Sequence, residues 1–175
     1  IGAFYQPRLV VIDTRLLDTL PERELCAGLA EVIKYGIIHG MDLFSLLDKN
    51  YELILKKDTA VLNEIIRQSC AIKAGIVEQD ERESGLRMIL NFGHTIAHSI
   101  EASTGYTRYN HGEAVAIGMF GAALISHYQG LCQRSVVDSI GAIIAKFKLA
   151  AKVGLDAPKL FRYLARDKKA INGKV

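Results

Sequence analysis

Asn91, His94 and His98 follow Arg87 by four, seven and eleven residues. On a helix of 3.6 residues per turn that spacing puts all four on one face. Leu86, Ile89, Leu90, Ile96 and Ile100 fill most of the remaining surface, so the helix is expected to be buried. Buried polar side chains are costly unless they are paired or bind something. The stripe is therefore either a satisfied internal network or one wall of a site. Two further residues belong to the same question. Glu31 lies inside the apolar string Ala27-Gly-Leu-Ala-Glu-Val-Ile-Lys-Tyr-Gly36, and His111 follows a loop and opens a helix. One carboxylate and two imidazoles are a usual donor set for a catalytic Zn²⁺, with the fourth position left open. Glu31, His94 and His111 fall on three different helices, and spacing alone does not bring them together. Glu31 with Lys34 also reads as a plain intrahelical ion pair, and His98 as polar packing. Glu113 has a sufficient role in opposing a helix dipole. His39 and His127 sit near helix ends and are expected to face solvent.

A second set is cationic: Lys34, Lys73, Arg87 and the pair Lys168 and Lys169. An arginine fork suits phosphate or carboxylate, and a lysine supplies a point charge. Converging near a metal, these would suit an anionic small molecule. Each one taken singly is better explained by pairing with an acid such as Glu78 or Glu83.

The elements that must position these groups are nearly all helical. Arg8-Leu-Val-Val-Ile-Asp13 reads as a lone buried strand, which cannot satisfy its own backbone. Thr19-Leu-Pro-Glu22 has the pattern of a capping box and starts a helix to about Ile38, with Gly40 past its end. Asp42 is expected to cap a short helix through Leu47. Asp58 caps a long one to about Gln79, with Val61, Leu62, Ile65, Ile66, Ile72 and Ile76 as its apolar stripe. The striped helix runs from about Leu86 to Ala102. The stretch from Glu78 to Glu83 reads as a solvated turn. His111 opens a Gly- and Ala-rich helix to about Tyr128, and two more cover roughly Ser135–Lys148 and Ala157–Arg166. The fold class expected is mainly α, with one remnant strand of an α/β neighbour at the front.

At 175 residues, 50% apolar and 23% charged, the chain is long and apolar enough for one folded core rather than a disordered segment. A net charge of +3 without basic clusters interleaved with aromatics argues against nucleic acid. No apolar run is long enough for a membrane span, and no signal-peptide pattern opens the chain. Cys26, Cys70 and Cys132 are widely spaced and odd in number, which reads as reduced, buried thiols and a cytoplasmic setting. The opening without methionine and the ending at Asn172-Gly-Lys-Val175 suggest an internal piece of a longer protein.

The strings carry more than the spacings. Thr19-Leu-Pro-Glu-Arg-Glu, Ala27 to Gly36, Asp80-Glu-Arg-Glu-Ser-Gly-Leu-Arg87, Leu90-Asn-Phe-Gly-His-Thr95, His111-Gly-Glu-Ala-Val115 and Arg166-Asp-Lys-Lys169 occur in this order. Together they closely resemble the 3-dehydroquinate synthase family, of the sugar-phosphate cyclase superfamily, over essentially the whole chain. The resemblance implies a helical C-terminal domain over residues 19–175, preceded by the last strand of a nucleotide-binding domain over residues 1–18. It implies conversion of 3-deoxy-D-arabino-heptulosonate 7-phosphate to 3-dehydroquinate and phosphate in the shikimate pathway, with NAD and Zn²⁺ or Co²⁺ as cofactors, in a homodimer.

Position by position, Glu31, His94 and His111 match the family's metal ligands. Lys34, Lys73, Arg87, Asn91, His98 and one of Lys168 and Lys169 match its substrate-contacting positions. Leu16, Leu17, Asp18 and Thr19 fall where its last NAD-contacting loop lies. This chain has Ile96-Ala97 where the family usually has Phe-Gly, and one extra residue between His94 and His111. The Gly-rich NAD-binding part and a substrate-binding lysine expected before Ile1 are absent, so the chain alone is expected not to turn over. Competing readings are another cyclase of the same fold, such as one acting on sedoheptulose 7-phosphate, and a non-catalytic helical module.

Overall fold

The computed structural model describes residues 5, 7–82, 85–152, 154 and 157–164. Seven α-helices carry the described chain: α1 Glu22–His39, α2 Met41–Leu55, α3 Thr59–Gln79, α4 His94–Ser103, α5 His111–Tyr128, α6 Arg134–Lys146 and α7 Ala157–Leu164. Short 3₁₀ turns occupy Thr14–Leu17 and Leu86–Asn91. The mainly helical fold class holds. Lys168, Lys169 and Glu83, with the expected end of the last helix at Arg166, lie outside the described residues.

The axis of the bundle is α5. Ala114, Val115, Ala116, Ile117 and Met119 are all buried, so this helix has no polar face to offer solvent over that stretch. It packs against α1, α4 and α6, and those helices supply the matching apolar faces. Leu25, Leu29 and Ile33 come from α1, Ala97 and Ile100 from α4, and Val137, Ile140 and Ile144 from α6. The expected stripe of α3 is buried at Leu62, Ile65, Ile72 and Ile76, with Val61 and Ile66 partly covered beside it. Asp58 caps this helix through its side chain, 3.0 Å from the Val61 N–H. Among the described residues no helix is long and apolar enough to cross a membrane.

The expected strand does not form: among the described residues none is a strand. Leu9, Val10, Val11 and Ile12 are exposed rather than buried. The reason is the one the sequence supplies: no neighbouring strand offers the donors and acceptors that a ladder needs. The capping box at Thr19 is also absent. Pro21 occupies the N-cap of α1 with no side-chain bond, and the Thr19 hydroxyl turns back to the Leu16 carbonyl at 3.5 Å. The helix after Gly40 starts there, with Gly40 and not Asp42 at its N-cap, and continues through Leu55 instead of stopping at Leu47.

The largest departure concerns the striped helix. It is two pieces, a 3₁₀ turn at Leu86–Asn91 and then α4 from His94. Gly93 breaks them apart with φ +79°, a left-handed conformation that glycine adopts without steric cost. The break follows from a close approach: a Cβ on Gly93 would lie 2.6 Å from the Met119 backbone nitrogen of α5. Arg87 and Asn91 therefore do not share a helical face with His94 and His98. Leu86, Met88 and Ile89 are exposed, against the expectation of a buried helix. In the charge run, Glu78, Glu81 and Arg82 are exposed as expected, and only Asp80 among its described residues departs, in the opposite sense. Asp80 is buried and its Oδ2 accepts the backbone N–H groups of Gly85 at 2.8 Å and Arg87 at 3.0 Å. Of the cysteines only Cys26 is buried, and Cys70 is exposed.

Candidate metal centre

Two backbone contacts gather the candidate ligands. A Cβ on Gly112 would lie 2.0 Å from the Ala27 carbonyl oxygen, so α5 touches α1 directly beside His111. Ala27 is one turn before Glu31 on the same face of α1. A Cβ on Gly118 would lie 2.1 Å from the Gly93 carbonyl oxygen, so α4 touches α5 directly beside His94. Glycine spacing thus converts three separate helices into one cluster.

Glu31, His94 and His111 each present one ligand atom, and the three atoms lie within 4.8 Å of one another. Glu31 Oε1 is 3.3 Å from His94 Nε2 and 3.6 Å from His111 Nε2. His94 Nδ1 lies 3.2 Å from the Phe92 carbonyl, and since a carbonyl only accepts, this nitrogen carries the proton. His111 Nδ1 lies 3.0 Å from Glu101 Oε1, which fixes the same tautomer. Two imidazole nitrogens and a carboxylate oxygen then face one another, a donor set that suits a cation.

The carboxylate is divided between two tasks. Lys34 Nζ donates to Glu31 Oε2 at 2.5 Å, while Oε1 is closed to solvent and has no hydrogen-bond partner. The intrahelical ion pair is real, but it uses one oxygen and leaves the other directed at the imidazoles. A buried oxygen without a donor beside two imidazoles fits a divalent metal such as Zn²⁺.

The other candidate residues are distributed unevenly. Lys34 is 3% exposed and bound to Glu31. The His98 ring lies 5.7 Å from that of His94 and 6.4 Å from that of His111, between centroids. Arg87 is half-buried, with Nη1 donating to the Glu81 carbonyl at 2.6 Å. Asn91 is half-buried on the same 3₁₀ turn. Lys73 is exposed on α3, and among the described residues it forms no ion pair with Glu78. Leu16 and Leu17 close the first 3₁₀ turn, and Lys57 Nζ pins the following loop through the carbonyls of Asp18 and Leu20, each at 2.9 Å. Glu113 completes a capping box with Asn110 and also receives the Arg23 fork at 2.7 and 2.8 Å, more than the dipole role expected of it. His127 is half-buried and bonds the Cys132 carbonyl at 3.1 Å instead of facing solvent. Glu101 was not legible as a site residue, although it follows His94 by seven residues and so continues the same helical face.

Residues 28–170 match the 3-dehydroquinate synthase C-terminal family. The chain belongs to the 3-dehydroquinate synthase family. It is 50% identical over 175 residues to the 3-dehydroquinate synthase of Dictyoglomus thermophilum, covering all of this chain and 49% of that protein. It is 51% identical over 179 residues to the 3-dehydroquinate synthase of Synechocystis sp., covering all of this chain and 50% of that one. The chain therefore spans about half the length of these family members. Among solved structures, the 2-epi-5-epi-valiolone synthase of Streptomyces hygroscopicus, with NAD⁺ and Zn²⁺ bound, is 26% identical with a TM-score of 0.81, over 89% of this chain and 44% of that one. A 2-deoxy-scyllo-inosose synthase complexed with carbaglucose-6-phosphate, NAD⁺ and Co²⁺ is 29% identical with a TM-score of 0.81, over 94% of this chain and 45% of that one. The helical architecture of this 3-dehydroquinate synthase family member is thus shared with enzymes that differ in their cyclised products.

Proposed function

We propose that the chain is the metal- and substrate-binding part of a 3-dehydroquinate synthase, acting with NAD⁺ and Zn²⁺ or Co²⁺. Its substrate is 3-deoxy-D-arabino-heptulosonate 7-phosphate, and its products are 3-dehydroquinate and phosphate. The observation that carries this reading is Glu31 Oε1, buried and unpartnered between the Nε2 atoms of His94 and His111. Identity near one half to proteins named for this activity supports the choice of substrate.

When bound, the metal supplies Lewis acidity toward a substrate hydroxyl, and NAD⁺ supplies a reversible hydride acceptor. Glu31, His94 and His111 are the residues that would hold the metal. Lys34 fixes the Glu31 carboxylate through Oε2 and so keeps Oε1 aimed inward. His98, ringed against both histidine ligands, is placed to carry a proton beside them. Arg87 spends Nη1 on the Glu81 carbonyl and brings a fixed positive charge to the start of the 3₁₀ turn that precedes α4. Its role, with Asn91, Lys73 and one of Lys168 and Lys169, is to hold phosphate and carboxylate groups in place. Leu16, Leu17, Asp18 and Thr19 form the loop assigned to NAD contact.

The test is phosphate release with NAD⁺ and Zn²⁺ present, by the chain alone and by the chain fused to the complementary half of the Dictyoglomus thermophilum enzyme. Release from the heptulosonate phosphate by the fusion is expected, with none from the chain alone. Turnover of sedoheptulose 7-phosphate in its place would move the assignment to another cyclase. No release from either substrate would refute the enzymatic reading.

A further inference from the structure

Glu101 lies on α4, two turns after His94, and is 8% exposed. A carboxylate this deeply placed is stable only when it is paired. Its Oε1 stands 3.0 Å from His111 Nδ1, and that contact uses the ring nitrogen turned away from Glu31. The other nitrogen, Nε2, is left 3.6 Å from Glu31 Oε1. His111 needs such a hold more than His94 does. The His94 side chain is 11% exposed and tied to its own backbone through Phe92. The His111 side chain is 49% exposed and stands on the first residue of α5, where packing alone does not define its ring.

We propose that Glu101 is a positioning residue for the metal centre, which fixes the tautomer and orientation of His111 and strengthens its Nε2 as a donor. The proposal rests on the reading of Glu31, His94 and His111 as ligands. Its chemistry is that of a carboxylate–imidazole–metal relay: an anion accepting the far N–H pushes electron density toward the ligating nitrogen. One helix then serves two ligands, since α4 provides His94 directly and restrains His111 across the contact with α5.

The experiment measures zinc affinity of the 175-residue chain by competition with a chelator, for the wild type, Glu101→Gln, Glu101→Ala and His94→Ala. The melting temperature of each metal-free protein and the visible spectrum of each Co²⁺-loaded one are recorded alongside. Glutamine keeps an acceptor for Nδ1–H without the charge, so it separates orientation from donor strength. Expected are zinc losses of about tenfold for Glu101→Gln and about a hundredfold for Glu101→Ala. A changed Co²⁺ spectrum and a metal-free melting temperature for Glu101→Gln equal to the wild type should accompany them. Wild-type zinc affinity in both Glu101 variants would overturn the proposal. So would a loss of affinity in both that only tracks a loss of metal-free stability. Wild type binding no more zinc than His94→Ala would remove the metal centre itself, and the proposal with it, which is a separate result from an intact centre indifferent to Glu101.

Discussion

Glu31 gives one oxygen to Lys34 and keeps the other between two imidazoles. That division sets a prediction at this scale. Glu31→Gln keeps the shape of the side chain but offers the metal a neutral amide oxygen. Zinc affinity should fall by more than the roughly hundredfold ceiling typical of residues behind a ligand, as read by chelator competition. An unchanged affinity would mean that Glu31 only balances Lys34. The identities of Glu31, His94 and His111 were legible from the strings in which they stand. Their meeting was not, because the three come from different helices and the contacts that join them run through glycine and alanine backbone. Glu101 and Asp80 were hidden for another reason. Acidic residues near helix ends usually face water, and the seven-residue spacing of Glu101 from His94 is a weak signal against that expectation.

Glycines decide how closely the helices approach, and they do so with opposite signs. Within a helix, replacing glycine by alanine ordinarily stabilises by about 1 kcal/mol. On α3 a Cβ at Gly75 would meet nothing within 4 Å, so Gly75→Ala should stabilise by about that amount. On α5 a Cβ at Gly118 would meet the Gly93 carbonyl oxygen at 2.1 Å, and backbone cannot swing aside as a side chain can. Gly118→Ala should therefore destabilise by about 1–3 kcal/mol or more and weaken zinc binding by prising α4 away. Urea titration of both variants reads the two signs side by side, and stabilisation by both would contradict the close α4–α5 contact. A pH-dependent term belongs to α3 as well. The Arg67 fork and the Gln68 amide hold the Glu64 carboxyl at about 2, below its ordinary value of 4.5. A carboxyl lowered in the folded state adds stability above its unfolded value and loses it as pH falls through the folded one. The melting temperature of the wild type should exceed that of Glu64→Gln slightly at pH 7, and the difference should close between pH 4.5 and about 2. The effect is small because the pair is solvent-exposed. At this scale the sequence was most readable where periodicity was strong, as along α3, and least where one glycine divided an apparently continuous helix at Gly93.

The described chain presents a half-open site and, ahead of α1, uncovered apolar surface. His111 is half exposed on one side of the cluster, Lys73 faces outward from α3, and Leu9, Val10, Val11, Ile12 and Leu16 are exposed ahead of α1. An apolar run of this kind is costly in water and is the sort of surface that another part of a protein covers. The chain spans about half the length of its relatives, and the loop assigned to NAD contact, Leu16 to Thr19, follows directly on that run. These observations separate two binding events. The proposed zinc ligands come only from α1, α4 and α5, whereas the proposed NAD⁺ contact would need more than a four-residue loop. Calorimetric titration of the 175-residue chain should therefore detect zinc binding and no NAD⁺ binding. Fusion to the complementary half of a relative should restore NAD⁺ binding, with Leu9 to Ile12 becoming protected from hydrogen exchange. Tight NAD⁺ binding by the chain alone would show that the dinucleotide site lies on the helical part, and would move the assigned loop from the edge of that site to its centre.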